Sequence, residues 1–191
     1  MICDYIKMQE IWKASKINIC GLMRGYATMI KILFICHGNI CRSPMAEFIL
    51  KDMVEKRGIA GQFEIASAAT STEEIWNGIG NPVYPPAQAE LKKNGIGRTE
   101  YTDFCKKRAV QVTKEDYDYY DYLLCADNMN IRNTIKITGN DENNKIRLMM
   151  SFTNTPEKSI SDPWYTGDFE KTFKDIKKSC EAFLEYIKEK H

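Results

Sequence analysis

A cysteine and an arginine six positions apart, Cys36 and Arg42, are the residues whose types and spacing best suit chemistry on a phosphate group. The loop between them contains Gly38 and leads into Ser43 as the expected N-cap and Pro44 as the expected first residue of a helix. Such a loop directs successive backbone N–H groups at an anion, and the helix N-terminus adds about half a positive charge. The pattern therefore predicts a phosphate-binding loop.

The side chains of this loop suit a covalent reaction at phosphorus as well as binding. The positive field that holds an anion also favours a thiolate at Cys36, and the thiolate is the nucleophilic form of cysteine. Arg42 can donate two hydrogen bonds to two phosphoryl oxygens at once, a geometry that lysine does not offer. Ser43 can donate a hydrogen bond to the sulfur, and Asn39 can adopt the left-handed conformation that a tight loop needs.

This loop needs a strand before it and a helix after it, and the sequence supplies both. Apolar residues 32–35 form the expected first strand, and a helix is expected between Ser43 and Gly58. Short apolar runs then alternate with helix-period segments, which predicts an α/β fold built on a parallel sheet. The other expected elements are strands at 63–69, 122–126 and 145–149, a short helix at 87–93 and a long closing helix over 169–187.

Residues 29–191 are expected to form a single domain, because no repeat, low-complexity tract or linker interrupts them. The longest irregular segment, 75–86, is dense in Gly, Asn and Pro but still contains Trp76 and Tyr84. A binding loop and a plain surface loop both fit this composition.

Composition restricts the classes of partner. The 191 residues include 27 Lys and Arg against 26 Asp and Glu, and the net charge of +1 gives no electrostatic footprint for nucleic acid or an anionic membrane. No apolar run approaches the roughly 20 residues of a spanning helix, so no membrane partner is expected. Seven cysteines, an odd number in a chain of this size, are typical of a reducing compartment, which predicts a cytoplasmic protein.

Residues 1–28 are expected to be an N-terminal extension, a leader that is unstructured or not native to the protein. Charged residues such as Lys7 and Lys13 interrupt what would be the apolar stretch of a secretory signal. Met29 follows this extension and is the expected natural start.

Residues 36–47, Cys-His-Gly-Asn-Ile-Cys-Arg-Ser-Pro-Met-Ala-Glu, resemble the signature loop of the low-molecular-weight protein tyrosine phosphatases. The resemblance spans about residues 30–188. It implies a doubly wound, four-stranded parallel sheet with helices on both faces and the phosphate-binding loop after strand 1. Further segments resemble the family in the same order, at 65–69, 109–116, 122–127 and 162–165.

The resemblance implies a phosphatase that needs no metal and no cofactor. Cys36 would attack phosphorus to form a phosphocysteine, Arg42 would bind the phosphoryl oxygens, and Asp162 would be the general acid and then the general base. The implied partner is a phosphotyrosine-containing protein, with a tyrosine kinase among the candidates. The implied substrate-binding residues are His37, Gly38, Asn39, Ile40, Cys41, Ser43, Trp164 and Tyr165. The implied supporting residues are Ser67 and Asn94. Asn94 is at a position where many members of the family carry His.

Other activities fit parts of the same pattern. Protein-arginine phosphatases share the loop but carry Thr where this chain has Ile40, and they lack the tandem large aromatics that include Trp164. Arsenate reductases need two further thiols close in sequence, whereas Cys105 and Cys125 are twenty residues apart. An inactive phosphate-binding module would need no thiol, so Cys36 favours an enzyme.

Cys36 and Cys41 raise two further questions. Their C-x4-C spacing does not predict a metal site, because His37 and His191 are the only histidines and no second cysteine pair completes four ligands. A regulatory disulfide between an oxidised Cys36 and Cys41 is compatible with the sequence, and so is an unreactive, buried Cys41.

Overall fold

Strands and helices alternate along the chain, as the sequence predicts. The structure is a computed structural model that describes residues 29–156 and 158–190, so the expectations about residues 1–28 lie outside the described residues. In chain order the elements are β1 (Ile30–Cys36), α1 (Arg42–Lys56), β2 (Phe63–Ala69), β3 (Ile75–Trp76), β4 (Ile79–Gly80), α2 (Pro85–Lys93), α3 (Lys114–Tyr119), β5 (Tyr122–Cys125), α4 (Asn128–Thr138), β6 (Ile146–Leu148), α5 (Pro163–Thr166) and α6 (Phe169–Lys190), with 3₁₀ turns at Ala60–Gln62 and Met149–Phe152.

Four of the strands form one parallel sheet in the order β2-β1-β5-β6. This confirms the predicted α/β fold, a doubly wound four-stranded sheet with the loop after its first strand. Because β1 is a central strand, Cys36 at its end lies at the carboxyl edge, where open parallel sheets bind ligands.

Alternate residues of β1 enter two different cores, one on each face of the sheet. Ile32 and Phe34 belong to a cluster that includes apolar residues of α1 and α6. Leu33 and Ile35 belong to a second cluster on the opposite face, with Tyr117 of α3. A strand that is buried on both faces is apolar at every position, which explains the continuous run at its centre. This double burial fixes the end of the strand from which Cys36 projects.

The start of α1 differs from the prediction. We expected Ser43 as the N-cap, but the helix begins at Arg42 and the cap position falls on Cys41, whose side chain makes no capping hydrogen bond. The Ser43 hydroxyl instead lies 3.1 Å from the Cys36 sulfur and 2.9 Å from the Asn39 amide nitrogen. Because these contacts occupy the hydroxyl, it serves the loop and not the helix end.

The structure adds α3, α4 and a short hairpin to the predicted elements. α3 begins with a capping box in which Thr113 and Asp116 exchange hydrogen bonds, and α4 begins after Asp127, which caps it. The β3–β4 hairpin lies in the irregular segment, and its turn is Asn77-Gly78, with φ of 50° and 77°. An Asn-Gly pair between apolar residues is the usual sequence of such a turn.

The closing helix α6 packs its apolar face on the sheet, as predicted. Its buried residues include Phe173, Ile176 and Phe183. In the part of the chain that the structure describes, no helix is long and apolar enough to cross a membrane.

Candidate active site

Cys36 lies in a cavity of about 170 Å³ at the carboxyl edge of the sheet. The backbone N–H of Asn39 donates a hydrogen bond to its sulfur at 3.3 Å, and the Ser43 hydroxyl lies 3.1 Å from the sulfur. The same hydroxyl lies 3.3 Å from the carbonyl oxygen of Ala68. The sulfur is therefore in contact with two groups that can donate hydrogen bonds to a thiolate.

Arg42 is buried beside the sulfur and is held by two carboxylates. Its Nη1 donates to Asp127 Oδ2 at 2.7 Å, and its Nη2 donates to Asp162 Oδ2 at 2.6 Å. Burial alone would lower the pKa of Arg42, but the charges of Cys36, Asp162 and Asp127 raise it. The cavity thus contains a permanent positive charge in a defined orientation.

Each of these two aspartates also caps a helix. Asp162 Oδ1 accepts a hydrogen bond from the Trp164 backbone at 3.0 Å, at the start of α5. Asp127 Oδ1 accepts one from the Asn130 backbone at 2.7 Å, at the start of α4. The structure therefore brings together the predicted residues Cys36, Arg42 and Asp162. It also places Asp127 beside Arg42, which was not predicted. The sequence feature that could have pointed to Asp127 is its position between a strand and the start of a helix.

Asn39 braces the loop from inside. It has φ of 55°, the left-handed conformation that we expected, and its side chain is buried. Its Nδ2 donates to Ser43 Oγ at 2.9 Å and to Ser67 Oγ at 2.8 Å, while its Oδ1 accepts from the Val110 backbone at 3.2 Å. The structure therefore places Ser67 beneath the loop, in contact with Asn39.

A buried ion pair continues this network below Ser67. Ser67 donates to Glu47 Oε2 at 2.6 Å, and Lys107 Nζ lies 3.2 Å from the same oxygen and donates to the Ser67 carbonyl at 2.8 Å. Lys51 donates to the other oxygen of Glu47 at 2.6 Å. The Glu47 side chain is only 5% exposed, so its carboxylate oxygens are satisfied by these partners in place of water. Glu47 and Lys107 were not predicted from the sequence, because nothing local marks them as buried.

Asn94 does not support the loop, and that prediction is wrong. Its amide nitrogen donates to the backbone and side-chain oxygens of Glu90, both at 2.9 Å. Asn94 occupies the C-cap of α2, where an amide can satisfy carbonyl groups that the helix leaves unpaired. Lys107, and not Asn94, contacts Ser67 beneath the loop.

Aromatic and polar side chains both line the cavity. Trp164 and Tyr165 are exposed, and the Trp164 ring packs on Tyr84 with centroids 5.2 Å apart. Among the polar lining residues, His37 Nε2 lies 2.9 Å from Glu73 Oε2. The lining is completed by Gly38, Ile40, Cys41 and Glu74.

Cys41 is buried next to the reacting group and carries a free thiol. Burial, together with the charges of Cys36 and Asp162, raises the pKa of Cys41 well above its usual range. This thiol therefore stays protonated, which suits a packing role in the loop. Across residues 29–156 and 158–190, no group of three or more His, Cys, Asp or Glu side chains is arranged to hold a metal ion.

A family model described as low molecular weight phosphotyrosine protein phosphatase matches residues 31–191. The chain belongs to this family. The low molecular weight protein-tyrosine-phosphatase YfkJ of Bacillus subtilis (strain 168) is 36% identical over 160 residues, which cover 83% of this chain and 96% of that protein. The low molecular weight phosphotyrosine protein phosphatase of Rattus norvegicus is 36% identical over 158 residues, covering 81% of this chain and 93% of that protein.

Solved structures of low molecular weight phosphatases share the fold. The crystal structure of YfkJ from Bacillus subtilis matches with a TM-score of 0.76 and 34% identity, covering 85% of this chain and 97% of that one. The low molecular weight protein tyrosine phosphatase SP-PTP from Streptococcus pyogenes matches with a TM-score of 0.67 and 34% identity, covering 85% and 100%. The sheet order and the loop after β1 thus belong to a known phosphatase architecture.

Proposed function

We propose that this member of the family is a protein-tyrosine phosphatase that works through a phosphocysteine intermediate. The observation that carries the proposal is the meeting of Cys36, Arg42 and Asp162 in one cavity with Trp164 and Tyr165 at its mouth. A nucleophile, an anion-binding cation and a carboxyl group together can carry out hydrolysis of a phosphate monoester through a covalent intermediate.

In the first step the Cys36 sulfur attacks phosphorus. The S–P bond forms, the P–O bond to the tyrosine oxygen breaks, and the proton of the Asp162 carboxyl moves to the leaving phenolate. Arg42 and the loop amides bind the three phosphoryl oxygens, where negative charge is concentrated in the transition state.

In the second step a water oxygen attacks phosphorus and the S–P bond breaks. Asp162, now a carboxylate, accepts the proton of that water. The sulfur leaves as a thiolate, and the hydroxyl of Ser43, 3.1 Å away, donates a hydrogen bond to it. The products are inorganic phosphate and the original enzyme.

The mouth of the cavity supports phosphotyrosine over smaller phosphoamino acids. The exposed rings of Trp164 and Tyr165 line the cavity and offer aromatic surface to a phenyl group, and the Trp164 ring packs against the Tyr84 ring. We propose phosphotyrosine proteins as substrates, a tyrosine kinase among them. Because the described cysteines are free thiols and the nucleophile works only when reduced, we place the protein in the cytoplasm.

The test compares hydrolysis of a phosphotyrosine peptide and a phosphoarginine peptide near pH 6 without added metal. We expect wild type to hydrolyse phosphotyrosine, Cys36→Ser to be inactive and Asp162→Ala to be slower by at least 100-fold, on the order of general-acid catalysis. Cys105→Ser, which removes an exposed thiol outside the cavity, should match wild type.

Two outcomes would replace the proposal. A preference for phosphoarginine would retain Cys36 as the nucleophile and overturn the inference drawn from Ile40 and Trp164. Turnover of neither peptide, with phosphate still bound, would indicate a phosphate-binding module.

A further inference from the structure

We propose that the mouth of the active site selects phosphotyrosine segments with Lys or Arg next to the phosphotyrosine, and that Glu73 and Glu74 make this selection. The inference rests on the proposed phosphatase function. It adds which residues the enzyme prefers beside the phosphotyrosine of its substrate. Both glutamates line the cavity that holds Cys36, together with Trp164 and Tyr165. Side chains that flank a bound phosphotyrosine must therefore pass these two carboxylates.

Glu73 is held at the mouth by the phosphate-binding loop itself. Its Oε2 lies 2.9 Å from His37 Nε2, and its backbone N–H donates to Ser71 Oγ at 3.1 Å. Ser71 in turn donates its backbone N–H to the His37 carbonyl at 2.9 Å. The Glu73 side chain is nevertheless 73% exposed, so its charge remains accessible to a ligand.

Glu74 is held against the same loop by different contacts. Its Oε2 accepts a hydrogen bond from Asn81 Nδ2 at 2.7 Å, and its carbonyl accepts one from the Asn81 backbone at 2.8 Å. Its Cγ packs so closely on Gly38 that a Cβ added there would lie only 2.9 Å from it. Both glutamates are thus held by contacts with the phosphate-binding loop, Glu73 through His37 and Glu74 through Gly38.

The positive and negative charges of the cavity lie at different depths. Arg42 is buried at the bottom, where it is paired with Asp127 and Asp162. Among the described residues that line the cavity, no lysine and no second arginine accompanies it. In the described part of the lining, the one basic side chain beside these carboxylates is His37, which contacts Glu73 and not Glu74. The phosphate therefore meets positive charge and amides, while the flanking residues of a substrate meet net negative charge.

The size of the effect follows from Coulomb's law in water. At roughly 8 Å, each carboxylate attracts a lysine and repels a glutamate by an amount that salt partly screens. For two carboxylates this difference corresponds to about a tenfold ratio of kcat/KM between a Lys-flanked and a Glu-flanked peptide at low ionic strength.

The experiment measures kcat/KM for three phosphotyrosine peptides that differ only at the two flanking positions, which are Lys, Gln or Glu. We expect about a tenfold preference for Lys over Glu in wild type, about threefold in Glu73→Gln and in Glu74→Gln, and no preference in the double variant. The preference should fall toward one in 0.5 M NaCl. Glu185→Gln, which removes an exposed carboxylate on α6, is the control for net charge and should keep the wild-type ratio.

Taking the ratio within each variant cancels any general loss of activity or folding. Equal turnover of the three peptides by wild type, a preference for Glu, or a ratio that neither substitution changes would overturn the inference while leaving the proposed phosphatase function intact. Failure to hydrolyse even the Gln-flanked peptide would instead contradict the proposed function, and the inference with it.

Discussion

Replacement of Asn39 by Ala is expected to destabilise the protein by about 3 to 4 kcal/mol. The buried side chain makes three hydrogen bonds, to Ser43, Ser67 and the Val110 backbone, and each contributes on the order of 1 kcal/mol. The residue also has φ of 55°, a conformation that costs Ala roughly 1 kcal/mol more than it costs Asn. The loss should appear as a lower urea midpoint and a Tm about 10 °C lower.

Asn144 is a matched control for the backbone contribution. It also has a left-handed φ, of 52°, but its side chain is exposed and makes none of these buried hydrogen bonds. Asn144→Ala should therefore cost only about 1 kcal/mol. If Asn39→Ala is no more destabilising than Asn144→Ala in urea titrations, the hydrogen bonds beneath the loop do not stabilise the fold as argued. At a temperature where both variants are folded, only Asn39→Ala should lower kcat, by roughly 100-fold, because the loop amides lose their alignment.

Three further predictions concern the groups around the loop. Lys107→Met leaves the buried Glu47 with Lys51 as its remaining charged partner and should cost about 2 kcal/mol in urea unfolding, whereas Lys107→Arg should retain most of the stability. Equal losses in the two variants would contradict the pairing. Asp127→Asn should lower kcat/KM about tenfold, because one of the two carboxylates that orient Arg42 is weakened, and an unchanged value would show that Asp162 suffices. Burial raises the pKa of Cys125 to about 12 and also raises that of Cys41, so both should stay protonated at pH 7.5. Iodoacetamide followed by peptide mass spectrometry should modify Cys36 well before Cys41 and Cys125, and comparable labelling of Cys41 would refute the assignment.

The parts of the site that were predictable from sequence are those that lie close together in the chain. The loop from Cys36 to Ser43 carries its own signals, because a strand, a glycine and a helix start must follow one another for an anion to be bound. Asp162 could be assigned only through the resemblance, since an Asp-Pro pair by itself usually marks a turn.

The supporting residues were not predictable, because their burial depends on contacts between distant segments. Glu47 lies within α1, where a glutamate would ordinarily face solvent, and only the packing of Lys107 and Ser67 beside it explains its burial. Lys107 is separated from Ser67 by 40 residues, and no local pattern links them. Asn94 was assigned by position in a resemblance, and the end of α2 gives its amide a nearer partner in Glu90.

The double role of the two aspartates connects the fold to the proposed chemistry. Each uses one carboxylate oxygen to cap a helix and the other to hold Arg42, so the guanidinium is oriented by α4 from one side and by α5 from the other. A phosphoryl group that binds both guanidinium nitrogens competes with Asp162 for Nη2. The carboxyl that this competition releases is still fixed to α5 through the Trp164 backbone, within the cavity that Cys36 also lines. In the proposed mechanism, substrate binding therefore releases the Asp162 carboxyl from Arg42 for proton transfer, while its bond to the Trp164 backbone keeps it at the start of α5.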